Sequence, residues 1–228
     1  MAVLGDGNIC ILIPVYNESK TIVEVVRSIV DKKFNVVVID DGSKDNSGKL
    51  AKDNGAYVLF HEKNQGKGAS LRDGFKYILG QGFDAVITMD GDGQHAVCDI
   101  ERFLQAAKGN KSTVVIGNRM GNTKGMPWLR KMTNRFMSAL ISLAARQPVA
   151  DTQCGFRYIG CQVLKSIELK CDSFEIETEI ILKAAKQGFP IVSVSIQTIY
   201  RDEESKINPL KDTIRFIKYF FRELAAKQ

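Results

Sequence analysis

The apolar residues of this chain fall into short continuous runs and into longer segments where they recur every three or four positions. The runs predict buried strands, and the helical periodicity predicts amphipathic helices. In the first half, strands are expected over 9–15, 36–39, 57–60, 85–89 and 113–117. Helices are expected between them, and this alternation predicts an α/β protein with a mostly parallel central sheet flanked by helices.

The second half is richer in predicted helix. Helices are expected over 127–146, 161–167, 174–187 and 209–226, with a short strand after 151–157 and another over 191–199. The helix Pro127–Arg146 carries an apolar stripe formed by Leu129, Met132, Phe136, Leu140 and Leu143. The helix Pro209–Ala226 has an apolar arc beside a basic edge. Such patterns fit helices packed on a core and equally helices lying on a membrane surface.

Composition places the chain among ordinary globular proteins. It has 228 residues, of which 44% are hydrophobic and 25% charged, and it contains no apolar run long enough to span a membrane. The N-terminus lacks the pattern of a signal peptide, and the five scattered cysteines form no C-x-x-C pair. We therefore expect one domain in the cytoplasm, with reduced thiols and without a zinc site.

The net charge of +6 is unevenly distributed. Residues 119–150 include no acidic residue and six basic ones. Such a block suits nucleic acid, an anionic lipid surface or a phosphorylated substrate, and it is also compatible with a simple solvated surface.

Two carboxylates follow the apolar run at 86–89. Asp90 and Asp92 are spaced i and i+2, and Gln94 adds an amide oxygen. At the carboxyl end of a parallel strand, these oxygens would suit Mg²⁺ or Mn²⁺ bridging phosphate groups. A solvated Asp-Gly turn gives the same short pattern.

A lysine between two glycines precedes the helix predicted after residue 68. The segment Asn64-Gln65-Gly66-Lys67-Gly68 is a candidate phosphate cradle, because backbone N–H groups at a helix start favour an anion. It has neither the spacing of a Walker A loop nor that of a dinucleotide fingerprint, and a plain loop with an exposed lysine explains it as well.

Polar motifs follow three predicted strands: Pro14-x-Tyr16-Asn17-Glu18, Asp40-Asp41-Gly42-Ser43 and Asp90-x-Asp92-x-Gln94. With the segment 64–68, they resemble the nucleotide-sugar-binding half of family-two glycosyltransferases of GT-A type. Segments 151–157 and 200–206 are similar to those of the polyprenyl- and dolichyl-phosphate mannose or glucose synthase subgroup. The resemblance implies a single Rossmann-like GT-A domain, with about 9–118 binding the donor and about 119–228 binding the acceptor.

The resemblance also implies roles for individual residues. Those that would frame the nucleoside are Pro14, Tyr16, Glu18 and Asp41, with Asp40 beside them. Those that would lie at the diphosphate and its metal are Lys67, Gly68, Asp90, Asp92 and Gln94. Those that would hold the acceptor's phosphate are Arg119, Arg130, Arg157, Arg201 and Lys206.

The implied reaction is an inverting, Mg²⁺- or Mn²⁺-dependent transfer of a hexose to a polyprenyl-phosphate lipid. By resemblance, GDP-mannose is favoured as donor over UDP-glucose. A phosphate acceptor is already an anionic nucleophile, so no general base is required. The helices Pro127–Arg146 and Pro209–Ala226 would place the protein peripherally on the cytoplasmic face of a membrane.

Three alternatives remain open at this stage. With a hydroxyl acceptor the enzyme would need a general base, for which Glu175, Glu177 and Glu179 are candidates if they are not simply a solvated helix face. A nucleotidyltransferase should carry a glycine-rich signature near the N-terminus, and residues 14–19 do not. A nucleic-acid-binding protein would use the basic block, but no aromatic-interleaved or zinc-finger motif supports it.

Overall fold

The computed structural model describes residues 8–121, 128–197, 199, 216, 219 and 220, apart from the side chains of residues 129 and 130. Within these residues, seven strands form one sheet: Ile9–Val15 (β1), Asn35–Asp40 (β2), Tyr57–Phe60 (β3), Ala85–Thr88 (β4), Val114–Asn118 (β5), Arg157–Gly160 (β6) and Ile191–Ser195 (β7). The five strands predicted in the first half are confirmed, with ends shifted by one residue at most. The strand expected to reach residue 199 ends at Ser195.

The sheet is mostly parallel, in the order β3-β2-β1-β4-β6-β5-β7. β1 pairs in parallel with β2 on one side and with β4 on the other. β6 is the exception, because it runs antiparallel to both β4 and β5. The chain moves outward from β1 to β3 and then returns to place β4 on the opposite side of β1. The carboxyl ends of β1 and β4 therefore meet where the strand order reverses, which is where open α/β sheets bind ligands.

The sheet is covered by helices: Ile22–Val30 (α1), Ser47–Asp53 (α2), Lys67–Gly80 (α3), Ile100–Ala107 (α4), Trp128–Ala145 (α5), Cys161–Ser166 (α6) and Ile176–Lys186 (α7). A 3₁₀ turn over Val97–Asp99 leads into α4. On α1, the apolar residues at helical spacing are the ones that are buried, as predicted: Ile22, Val25, Val26 and Ile29. None of the helices within the described residues combines the length and apolar character that crossing a bilayer requires.

Part of the apolar stripe predicted on α5 faces outward. Met132, Phe136 and Leu143 are 59%, 66% and 79% exposed. The residues of α5 that are buried are Asn134, Met137, Ser138, Ile141 and Ala145. Leu140, by contrast, is half-buried and packs against the core, so the stripe is core-packed only in part. The inner side of the helix is partly polar because it bonds the loop before β6: the Thr152 N–H donates to Ser138 Oγ at 3.1 Å.

Most of the predicted helix Pro209–Ala226 lies outside the described residues. Three of its residues are described as helical, and all three are buried: Phe216, Tyr219 and Phe220. The rings of Phe216 and Phe220 stack with their centroids 5.9 Å apart. At these positions the helix packs its aromatic residues into the protein.

Candidate functional site

The loop after β1 carries the residues expected to frame a nucleoside. Pro14 lies within β1, beyond the last residue that pairs with β4, so its missing N–H costs the β4 ladder nothing. Tyr16 is 36% exposed at the strand end. The Glu18 N–H donates to Ser47 Oγ at 2.7 Å, which fixes this loop against the start of α2. These predicted residues therefore do lie together at the carboxyl end of β1.

The two aspartates after β2 are both buried, and each organises a loop. Asp40 accepts the N–H groups of Ser43 and Gly48, at 2.9 and 3.0 Å, and so fixes the turn into α2. Asp41 accepts the N–H groups of Gln65 and Gly66, each at 2.8 Å. These carboxylates thus hold the loops around the strand ends in place.

Asp41 also contacts a side chain that the sequence did not single out. Its carboxylate lies 2.7 Å from Nδ1 of His61, the residue that follows β3. This contact joins the ends of β2 and β3, so Asp41 connects three segments of the chain at one edge of the site.

Asp90 and Asp92 lie just beyond β4, beside the end of β1. The Gln94 N–H donates to Asp92 Oδ1 at 2.9 Å, which closes the turn that the sequence predicts here. His95 Nε2 lies 3.3 Å from Asp90 Oδ2. The Thr21 hydroxyl donates to the Gly91 carbonyl at 2.7 Å, so the loops after β1 and β4 are joined directly.

The two carboxylates have opposite electrostatic environments. Burial raises the pKa of Asp92 above its ordinary value, and the negative charge of Asp90 raises it further. Burial would also raise the pKa of Asp90, but the charge of Lys67 and the contact with His95 outweigh burial and hold this pKa well below its usual range. Asp90 is thus a stably ionised carboxylate next to one that is less readily ionised.

The Lys67 ammonium is the cation that neutralises Asp90. Its Nζ lies 2.6 Å from Asp90 Oδ1 and 2.7 Å from Glu177 Oε1. Burial would lower the pKa of Lys67, but the two carboxylates raise it above its ordinary value. Lys67 thus lies beside Asp90 at the end of β4, whereas its second partner, Glu177, comes from α7 in the other half of the chain.

The start of α3 is not an open phosphate cradle. The N–H groups of Gly68 and Ala69 donate to the carbonyl of Asp172, at 2.9 and 3.2 Å. A Cβ at Gly68 would lie 2.5 Å from the carbonyl oxygen of Cys171, so this glycine admits the loop before α7. In this conformation a protein carbonyl therefore occupies two of the backbone donors that the predicted cradle would offer to an anion.

The arginines expected to hold an acceptor phosphate are in different environments. Arg119 is buried and forms two side-chain hydrogen bonds to Asp151, at 2.8 and 3.0 Å. Arg157 is 1% exposed and donates to the carbonyls of Cys154, Thr152 and Glu177. In this conformation Arg157 therefore fixes the loop before β6 rather than facing an open surface. The side chain of Arg130, and all of Arg201 and Lys206, lie outside the described residues.

The three candidate glutamates, Glu175 just before α7 and Glu177 and Glu179 within it, do not form a solvated face. Glu177 and Glu179 are buried, at 7% and 1% exposure. Glu179 accepts the N–H groups of Lys170 and Cys171 and the ammonium of Lys183. No sequence signal distinguishes Glu177 from its neighbours, because its partner Lys67 is 110 positions away.

Comparison with known proteins identifies the family. Residues 10–167 match the family model described as glycosyl transferase family 2. A UDP-N-acetylglucosamine–dolichyl-phosphate N-acetylglucosaminyltransferase of Methanococcus voltae is 32% identical over a 247-residue alignment that covers 98% of each chain. A polyprenol monophosphomannose synthase of Mycolicibacterium smegmatis is 27% identical, with 84% of this chain and 77% of that one covered.

The fold is shared with solved structures at lower identity. Glucosyl-3-phosphoglycerate synthase from Mycobacterium tuberculosis, crystallised with Mg²⁺ and UDP, has a TM-score of 0.70 at 19% identity. The likeness covers 97% of this chain and 79% of that one, which confirms the predicted GT-A fold. With the family model spanning most of the sheet and the strand-end site, the chain is a glycosyltransferase and belongs to glycosyltransferase family 2.

Proposed function

We propose that this protein transfers a sugar from a nucleoside-diphosphate sugar to the phosphate of a polyprenyl-phosphate lipid, with inversion and with Mg²⁺ or Mn²⁺. The observation that carries the proposal is the cluster of Asp90, Asp92 and Lys67 at the carboxyl ends of β1 and β4. Carboxylates that ligate a cation and an ammonium that faces phosphate are the groups that stabilise a departing nucleoside diphosphate.

The residues present fit a metal that arrives with phosphate ligands. Within the described part of the chain, no cluster of three or more His, Cys, Asp or Glu side chains is arranged to hold a metal ion. Mg²⁺ is commonly bound through one or two carboxylates plus substrate phosphates and water. Asp90 and Asp92, with Gln94 beside them, would hold such an ion, which would offset charge on the leaving diphosphate.

The chain's own residues then have separate tasks. Lys67 would contact the diphosphate, and the loops fixed by Asp40 and Asp41 would shape the nucleoside site. Arg119 and the basic residues outside the described ranges would bind the acceptor's phosphate. This division follows the expected donor half at about 9–118 and acceptor half at about 119–228.

The donor is the least determined part of the proposal. The resemblance of the sequence motifs favours GDP-mannose, and the relative from Mycolicibacterium smegmatis is named for mannose. The relative from Methanococcus voltae, aligned over nearly all of both chains, is named for UDP-N-acetylglucosamine. We therefore propose UDP-N-acetylglucosamine as the first donor to test, with GDP-mannose and UDP-glucose beside it.

The exposed stripe of α5 supports contact with a membrane surface. Trp128, Met132, Phe136 and Leu143 are all more than half exposed, and residues 119–150 contain no acid. An apolar stripe among basic residues is typical of helices that lie at a bilayer interface. A lipid acceptor would place the enzyme at that surface.

The test is transfer of radiolabelled sugar into lipid. The purified protein is incubated with polyprenyl phosphate, Mn²⁺ and each of the three donors in turn. Label in the lipid from one donor, lost with EDTA and with Asp92→Ala, supports the proposal. Asp31→Ala, which removes an exposed carboxylate after α1, is the matched control and should retain transfer. Donor binding without lipid labelling would contradict the lipid-phosphate acceptor.

A hydroxyl acceptor is the second candidate, because one of the three candidate glutamates differs from the other two in its contacts. Glu175 Oε2 is buried and has no hydrogen-bond partner among the described residues. Glu177 and Glu179, by contrast, are engaged by cations. Loss of a general base costs about 10²–10⁴-fold in rate. Such a loss in Glu175→Gln favours a hydroxyl acceptor, whereas near-normal transfer favours phosphate.

A further inference from the structure

Lys67 links two carboxylates that come from distant parts of the chain. Its ammonium lies 2.6 Å from Oδ1 of Asp90, at the end of β4, and 2.7 Å from Oε1 of Glu177, on α7. The side chains of Lys67 and Glu177 are only 16% and 9% exposed. The side chain of Asp90 is 30% exposed, so the cluster is partly buried and opens to solvent at Asp90, and salt screens its ion pairs less than pairs on the surface.

The start of α3 is fixed by the same region that supplies Glu177. The Asp172 carbonyl accepts the N–H groups of Gly68 and Ala69, which follow Lys67 in the chain. Both the backbone next to Lys67 and its ammonium are thus held by the segment 172–177. The position of the ammonium is set by tertiary structure and not by the flexibility usual for a lysine.

This geometry has a consequence for cation binding at Asp90. A divalent cation that binds the Asp90 carboxylate must compete with the Lys67 ammonium, which already contacts this carboxylate. If Lys67 occupies Asp90 in nine molecules of ten, the apparent affinity for the bare ion falls about tenfold. A nucleoside diphosphate changes the balance, because its phosphates offer Lys67 another anionic partner and supply ligands to the ion.

We propose that Lys67 is an internal counter-ion of Asp90 that suppresses binding of a bare divalent cation and moves to the phosphates when a metal–nucleotide complex binds. Glu177 is the positioning residue that keeps the ammonium within reach of both partners. The inference rests on the proposed metal-dependent function. It adds to that function an order of binding, in which nucleotide and metal enter together.

The experiment measures Mn²⁺ binding without turnover. Free Mn²⁺ is titrated by electron paramagnetic resonance against the purified protein, first alone and then with UDP or GDP. In Lys67→Met, affinity for bare Mn²⁺ should rise about tenfold. The further gain in Mn²⁺ affinity produced by the nucleotide should shrink, because this variant has no Lys67 ammonium that the phosphates could draw away from Asp90.

Two variants separate displacement of Lys67 from a change in net charge. The double variant Lys67→Met/Glu177→Gln removes one positive and one negative charge, so Glu177 is not left buried as a charged group without Lys67. It should show the same raised affinity for bare Mn²⁺. Lys67→Arg keeps the cation and should stay within about twofold of the unaltered protein, since the competing charge remains.

The outcomes are distinct. If the unaltered protein binds Mn²⁺ with nucleotide but Lys67→Met and the double variant gain no affinity for the bare ion, the Lys67 proposal is overturned and the proposed function stands. An increase in Lys67→Met that disappears in the double variant reflects net charge alone and also overturns it. If no nucleotide promotes Mn²⁺ binding to the unaltered protein, both proposals fail.

Discussion

Gly155 lies against the carboxylate of Asp90 so closely that residue 155 has no room for a side chain. A Cβ built there would be 2.7 Å from Asp90 Oδ2 and 2.9 Å from Lys67 Nζ. The loop before β6 therefore packs directly over the ion pair at the end of β4. The absence of a side chain at Gly155 is part of the geometry of the site.

We predict that Gly155→Ala lowers the sugar-transfer rate by at least about tenfold, because displacing reacting groups by about 1 Å can cost up to about 10²-fold. The measurement is the rate at saturating donor, with a thermal melt to confirm folding. Gly80→Ala is the control, since nothing lies within 4 Å of a Cβ at that helical position. It should leave the rate unchanged, and an equal loss in both variants would contradict the prediction.

The buried pair of Arg119 and Asp151 gives a second prediction. Asp151 is fully buried, so Asp151→Asn leaves the Arg119 charge uncompensated. The expected cost is about 3–5 kcal/mol of unfolding free energy. Chemical denaturation of the purified variant measures it.

A double variant separates the structural role of Arg119 from a role in acceptor binding. Arg119→Met/Asp151→Leu replaces the pair by apolar groups, which should recover much of the lost stability. If Arg119 also binds the acceptor's phosphate, the KM for polyprenyl phosphate should stay raised in this stable protein. Recovery of both stability and KM would show that Arg119 is structural only.

The lowered pKa of Asp45 predicts that its carboxylate contributes to the free energy of unfolding in a pH-dependent way. Burial would raise the pKa of Asp45, but hydrogen bonds from Ser47 and Ser19 outweigh burial and lower it to about 2. Because the folded-state pKa is below the unfolded value, the ionised carboxylate stabilises the fold above about pH 4, and this stabilisation is lost as the pH falls toward 2.

The test compares urea midpoints or melting temperatures of Asp45→Asn and the unaltered protein between pH 6 and pH 3. At pH 6 the variant should melt about 2–4 °C lower, the shift expected for about 1 kcal/mol at this partly exposed site. The difference should shrink as the solution is acidified. A difference that is constant with pH would show that ionisation of Asp45 is not its source.

The stripe on α5 predicts binding to lipid vesicles. Phe136→Ser should reduce co-sedimentation with anionic vesicles by about tenfold, since a buried aromatic side chain contributes about 1.5–3 kcal/mol. Tyr57→Ser is the matched control, because Tyr57 is also an aromatic residue more than half exposed, but it lies on the edge strand β3. Equal losses in both variants, or no binding by the unaltered protein, would contradict a membrane role for α5.

The sequence predicted the sheet well because its strands are short apolar runs that end in polar turns. The sequence predicted the short strand β6 but not its position or direction in the sheet. A strand of four residues carries no sign of direction, and its antiparallel pairing with β4 and β5 depends on tertiary structure. The sequence also left the orientation of α5 open. Ser138 is buried on α5, where its hydroxyl bonds the loop before β6, and helical periodicity cannot reveal such a partner.

The candidate site was predictable where its residues follow the carboxyl ends of parallel strands. Asp90, Asp92 and the loops after β1 and β2 come together because parallel strands end at one edge of the sheet. The sequence predicts a cradle for an anion at residues 64–68, whereas in the structure the absence of side chains at Gly66 and Gly68 makes room for the carbonyl groups of residues 172 and 171. That contact, like the one between Lys67 and Glu177, joins segments about a hundred positions apart, which no local pattern reports.

The position of β6 limits how this enzyme can be recombined with its relatives. This strand belongs to the expected acceptor half but pairs with β4, which is followed by Asp90 and Asp92, the aspartates proposed to hold the metal. A fragment that stops near residue 118 would expose one full edge of β4 as a surface for aggregation. In a chimaera made to exchange the acceptor specificity of two family members, β6 and the loop before it should therefore stay with the expected donor half. The junction between the two sequences then lies after Gly160.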